Sequence, residues 1–220
     1  SMYEIFERIN TGSEKLTAQE IRNAIYSGDL LNNLKEICST SETFKSLISN
    51  DKIYSKRKKD QELLLRFVCY YYVYTRFNSN TNLYVDNSTQ VITTSKIETL
   101  NNYLYFSNLN SIDYKLYLNN VLEALEVVSS FCNNAFYSVS RDKDSISNKV
   151  QEVFAEALII AVIINDYKIN ISKEQFGNIK LQIWKDENLY KKFTEKTTAK
   201  DAIMDRVNLM LGIIKDGRLL

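Results

Sequence analysis

Apolar residues recur along most of this chain at helical intervals. Between Asp60 and Phe77 they fall at Leu63, Phe67, Tyr70, Tyr71, Tyr74 and Phe77, in steps of four, three, one, three and three, which is one face of an amphipathic helix. Asp60 and Glu62 favour the positive end of that helix, and Glu62 precedes Arg66 by four residues, the better order for an ion pair. From Val150 to Ile164 the segment is apolar nearly all round, which predicts the central and most buried helix. A last stripe, Ile203, Val207, Met210, Leu211 and Ile214, ends at Gly217.

Polar residues between these stripes supply starts and stops. Thr17 with Glu20 and Ser172 with Gln175 have capping-box spacing, the second opening a helix through Trp184; Thr198 with Asp201 starts the last helix. At the beginning of the chain Ile5, Phe6 and Ile9 share one helical face, and Asn10-Thr11-Gly12 is a stop, with Gly12 available for a left-handed cap. Ser27 or Asp29 can cap a segment carrying Leu30, Leu31, Leu34 and Ile37, with Gly28 separating it from Ile21, Ala24 and Ile25. Phe44, Leu47 and Ile48 mark a short helix, and Ser95–Tyr105 and Ile112–Phe131 two more. The run from Asn78 to Ser95 is rich in Asn, Ser and Thr; Leu83-Tyr84-Val85 and Val91-Ile92 read as two short strands within it, and 133–146 is a second irregular stretch. No repeat or linker divides the chain. The pattern predicts one all-α domain over 1–220, of roughly eight to ten helices, with a small β-hairpin near 83–92 as the exception.

Composition narrows the chemistry. The 220 residues contain no His, which removes His-assisted nucleophiles and His-ligated metals, and no Pro, which suits long helices. Net charge is +1, so nucleic acid or membrane binding has to be local. Cys38, Cys69 and Cys132 are odd in number and widely spaced, reading as free thiols in a reducing compartment. The strongest apolar run, Ala157–Ile164, is closed by Asn165-Asp166 and is too short to span a bilayer. These features predict a cytoplasmic protein without a membrane partner, and Ser1-Met2 reads as a tag remnant before a start residue.

Few residues group as sites. Asn10, Thr11 and Gly12 with Arg8 could line a phosphate pocket beside the helix start at Thr17, or serve only as a cap and loop. Lys56-Arg57-Lys58-Lys59 could touch nucleic-acid phosphates, with Tyr54 stacking on a base, or be a solvated loop. Tyr70, Tyr71 and Tyr74 belong to the core stripe, leaving Tyr72 off it. Glu152 and Glu156, four apart, could pair or could mark a solvated helix edge; no third metal ligand accompanies them, so neither a metal nor a catalytic set is expected.

Three segments, taken together, resemble a known family. They are Ile5-Phe6-Glu7-Arg8-Ile9-Asn10-Thr11-Gly12 with Leu16-Thr17-Ala18-Gln19-Glu20-Ile21-Arg22-Asn23-Ala24, then Lys59-Asp60-Gln61-Glu62-Leu63-Leu64-Leu65-Arg66-Phe67, and finally Thr197-Thr198-Ala199-Lys200-Asp201 to Asp205-Arg206-Val207. In order and spacing they are similar to the helical second part of the GmrSD-type restriction endonuclease N-terminal family, domain of unknown function 262. The resemblance implies a two-part domain whose first part, similar to the ParB/sulfiredoxin fold, carries a Gln-Arg segment and an Asp-Gly-Gln-Gln-Arg motif. It implies nucleotide-stimulated restriction of modified DNA in phage defence, with a nucleoside triphosphate and Mg serving the whole protein. Neither motif, nor a nuclease His, is in this sequence. The implied role here is therefore an accessory, non-catalytic lobe. Phe6, Arg8, Asn10, Gly12 and Leu16 would brace a nucleotide pocket supplied by the missing first part, and DNA is the further partner.

Overall fold

The computed structural model describes residues 2–12, 15–54, 56–78, 91–195 and 198–219. In chain order the described elements are α1 (Met2–Ile9), α2 (Ala18–Ile25), α3 (Asp29–Thr40), α4 (Glu42–Ile48), α5 (Lys59–Asn78), α6 (Lys96–Asn108), α7 (Tyr114–Phe131), β1 (Tyr137–Val139), β2 (Ile146–Val150), α8 (Glu152–Ile164), α9 (Lys173–Lys185), α10 (Glu187–Thr194) and α11 (Lys200–Asp216). The fold is all-α apart from the antiparallel β1–β2 hairpin.

The most apolar helix organises the rest. Every residue of α8 from Val153 to Ile163 is buried, against α5, α7 and α11. Each Val, Leu, Ile or Phe so buried contributes roughly 1.5–3 kcal/mol. Helix α5 departs from its expected one-sided stripe: all twelve residues from Leu63 to Tyr74 are buried, because α3 and α6 cover it as well as α7 and α8. Tyr72 follows the same logic. It is 1% exposed, its ring 5.1 Å from Tyr117 and 5.5 Å from Tyr103.

Several boundaries follow the local chemistry. Thr17 and Ser172 form complete capping boxes, and Gly217, with φ 71°, closes α11 in the left-handed region. Others are corrected. Gly12 is not in the left-handed region, and Gly28, rather than Ser27 or Asp29, is the N-cap of α3. Thr198 does not cap α11, whose N-cap is Ala199; its hydroxyl donates instead to the Thr94 carbonyl, 2.8 Å away. Asp186 ends α9, which matches the helix expected through Trp184, and opens α10, its carboxylate accepting from the Asn188 and Leu189 amides; α10 is not among the expected helices, and the described helices number eleven.

The hairpin lies where the sequence reading placed irregular chain. Tyr137 and Val139 point inward and Ser138 bonds the Ser147 hydroxyl at 3.1 Å. Between the strands, Ser140 receives and returns bonds across the turn, and Lys143 takes φ 62°. Of the hairpin expected near 83–92, residues 83–90 lie outside the described residues, while Val91 and Ile92 are not in a strand. No described helix is long and apolar enough to cross a membrane.

Candidate functional site

The opening motif is built as local structure. Asn10 spans the α1–α2 loop with both ends of its amide: Nδ2 donates to the Leu16 carbonyl at 3.0 Å and Oδ1 accepts the Leu16 amide at 2.9 Å. That engages both ends of the side chain as a loop brace, in the same way that the Thr17–Glu20 box uses the next turn. Arg8 and Gly12 are exposed. What the motif presents is apolar. Met2, Ile5, Phe6 and Ile9 lie on one face of α1, all exposed, Ile9 at 69%, with exposed Leu16 following. Helix α1 holds to the body through Tyr3, its one buried residue.

The basic run is fastened to this motif. Arg57 and Lys58 both have positive φ, 59° and 61°, a conformation that costs a non-glycine residue of order 1 kcal/mol or more and persists where surrounding contacts impose it. The contacts are present: the Thr17 hydroxyl donates to the Arg57 carbonyl at 3.1 Å, and the Arg57 guanidinium donates to the Lys15 carbonyl and to Glu20. Arg57 is thus tied to the start of α2 although it is exposed, as Lys56, Lys58 and Lys59 are. Tyr54 is a correction. It is 4% exposed and its hydroxyl donates to Glu152 at 2.8 Å, so its ring is not available to stack on a base.

Behind both loops runs a chain of buried charges. Arg22, fully enclosed, donates to Asn101 at 2.9 Å, Gln19 at 3.1 Å and Glu62 at 2.9 Å. Glu62 meets Lys96 at 3.0 Å, and Lys96 lies 3.9 Å from Glu152. Arg66 grips Glu152 and Glu156 together. Arg206 from α11 is buried beside Glu156 and Tyr70. Burial alone would raise the Glu62 carboxyl, but Lys96 and Arg22 outweigh it and hold the pKa at about 2. Burial would lower Arg66, and Glu156 with Glu152 overcome that and raise it, so the guanidinium stays charged.

This network takes Arg22, Glu62, Arg66 and Arg206 from the three segments quoted above and joins them through Lys96, Glu152 and Glu156. The alternatives of a metal pair and a solvated edge for Glu152 and Glu156 both give way to ion pairing with Arg66. Among the described residues no group of three or more His, Cys, Asp or Glu is placed to hold a metal ion. The sequence signals were charges inside apolar runs, Leu65-Arg66-Phe67 and Ala155-Glu156-Ala157.

The network reaches the surface in a cleft of about 560 Å³ between the β2 end, the start of α8, and α9 and α10. Lys96, Lys149, Arg66 and Glu152 line one side, and Trp184, Tyr190 and Phe193 the other. Compared with known families, curated proteins and solved structures, the chain has no significant match in any of the three.

Proposed function

We propose that this chain is the helical, non-catalytic lobe of a GmrSD-like, nucleotide-stimulated restriction protein, and that α1 is where the ParB/sulfiredoxin-like part docks. One observation carries the docking surface. The apolar stripe of α1 faces outward, Met2, Ile5, Phe6 and Ile9 being exposed while Tyr3 alone anchors the helix. A soluble surface seldom leaves such a stripe uncovered, and covering the still-exposed part of each side chain would return a share of the roughly 1.5–3 kcal/mol that complete burial is worth. The resemblance supplies the occupant. Its residues Phe6 and Leu16 lie on this surface, while Asn10 holds the loop that presents them. The nucleoside triphosphate and Mg belong, in this reading, to the docked part, in the cytoplasm of a bacterial cell.

The test has two parts. The purified chain should hydrolyse neither ATP nor GTP; clear turnover, abolished by Asn10→Ala, refutes the non-catalytic role. A polypeptide bearing the Asp-Gly-Gln-Gln-Arg motif, encoded beside this gene or in frame with it, should bind the chain in a calorimetric titration and lose that binding to Ile9→Glu. Undiminished binding to that variant refutes the docking surface.

A second reading is direct DNA contact through the loop at 56–59, favoured by the imposed backbone of Arg57 and Lys58. Three exposed lysines would contact phosphates without reading sequence. DNA binding by fluorescence anisotropy that is unchanged after Lys56, Lys58 and Lys59 all become Ala removes this reading.

A further inference from the structure

The cleft beside α8 combines three properties seldom found together on a near-neutral protein. It has the volume of a small-ligand site, about 560 Å³. Its charged lining is three cations, Arg66, Lys96 and Lys149, to one carboxylate, Glu152, which is already engaged by Arg66 and Tyr54. Its opposite wall is aromatic and fixed: Trp184 and Phe193 stack at an interplanar angle of 13°, and Tyr190 meets Trp184 edge-on.

We propose that this cleft binds a nucleoside phosphate, with the phosphate on Lys149 and Lys96 and the base against Tyr190. Lys149 is the more exposed cation of the pair. Its side chain is 65% exposed and its carboxylate neighbour, Asp51, is 3.9 Å away and already accepts the Ile53 and Val150 amides. Lys96 is held at the cleft by its ion pair with Glu62 at 3.0 Å, which fixes it as a hydrogen-bond donor, while Lys149 brings the less compensated charge. The positive end of α8 adds to the field, although Gln151 occupies the Val153 and Phe154 amides, so the lysines make the contacts. Tyr190 is exposed enough to offer its ring, with the Lys143 ammonium 6.0 Å above it ready to be displaced or to bridge to phosphate. Cations beside a stacking ring are the chemistry that holds nucleotides without hydrogen-bond readout of the base. Neither α1 nor the 56–59 loop borders the cleft, so this site stands or falls apart from the docking surface.

Trp184 is the single tryptophan of the chain, and its fluorescence therefore reports on the cleft directly. Titration with AMP should change it saturably, and Lys149→Gln and Tyr190→Ala, both surface changes, should each weaken binding about tenfold. A saturable response to a short oligothymidylate but not to AMP assigns the ligand to a strand; a response to AMP assigns it to a free nucleotide. No saturable response to either overturns the proposal. So does binding unchanged in both variants, or inorganic phosphate competing as strongly as AMP.

Discussion

Replacing Arg66 by Met should be among the most damaging single changes in the protein. Its guanidinium is 4% exposed and neutralises two carboxylates, of which Glu156 is 5% exposed. Methionine fills much of the volume, so the loss is chiefly electrostatic: Glu156 is left buried near Glu152, with Arg206 as its remaining close cation. Breaking a buried pair from one side costs about 3–5 kcal/mol, because a desolvated charge is left behind. For a domain of this size that is a fall in Tm of roughly 6–20 °C. The same physics predicts repair. Arg66→Met with Glu156→Gln and Glu152→Gln removes the stranded carboxylates while leaving an amide oxygen beside the buried Arg206, and should recover part of the loss. Guanidinium unfolding followed by circular dichroism at pH 7 measures each variant. The single-variant deficit should also shrink as pH falls, because protonating the stranded carboxyls removes the penalty. A single-variant cost below about 1 kcal/mol, or a triple variant no better than the single, would show that Arg66 is not what neutralises Glu156.

Lys180 gives a second pH signature, arising from a buried base rather than from stranded acids. It is fully buried over Phe154, donates to the Ala135 carbonyl at 2.7 Å, and burial lowers its pKa to about 7 from the usual 10.5. The unfolded chain therefore holds more protons between those values, so this group's contribution rises with pH across that window, by on the order of 4 kcal/mol. The stability difference between wild type and Lys180→Met, followed by denaturant from pH 7 to 9.5, should climb with pH; a flat difference refutes a buried neutral lysine. Asn10→Ala removes both bonds to Leu16 and should cost about 1–2 kcal/mol, with faster amide exchange confined to the α1–α2 loop; exchange unchanged there contradicts the brace. Tyr54→Phe loses the hydrogen bond to the Glu152 carboxylate and should cost about 1–3 kcal/mol by thermal melt, without altering DNA binding; an altered DNA affinity would restore Tyr54 as a contact.

Helices were legible where one periodicity dominated. The apolar run expected at 150–164 became α8 over Glu152–Ile164, with only Glu156 polar after Glu152, while Val150 went to β2 and Gln151 became the N-cap; Ser172 and Thr17 capped as their spacing indicated. Failures came where a residue had two available partners. Thr198 had the spacing of a cap, yet its hydroxyl finds the Thr94 carbonyl 104 positions away in sequence, a contact no local pattern contains. Asp186 caps a helix that the polar run Lys185-Asp186-Glu187-Asn188 disguised as a loop. The hairpin alternates only over the three residues of β1, and serine side chains bind its turn and the Ser138–Ser147 pair, so the hydrophobic period was too short to reveal it.

The candidate site was harder to read for a deeper reason. Periodicity assigns a residue to a face by its polarity, and it therefore discards charges that fall on an apolar face as noise. Arg22, Arg66, Glu156 and Arg206 are such residues, all buried. Their counter-charges come from far along the chain: Arg22 meets Glu62 across 40 positions and Arg66 meets Glu156 across 90. Each is affordable in the core only because another element supplies its counter-charge, so the evidence for any one of them is spread over the whole chain. Conversely, the residues that stood out in sequence, Asn10, Thr11 and Gly12, stood out because their job is local, joining α1 to α2. A motif visible at short range reports on a turn. The exposed apolar face of α1 and the exposed Lys56, Lys58 and Lys59 beside it are the surfaces the proposed contacts would use.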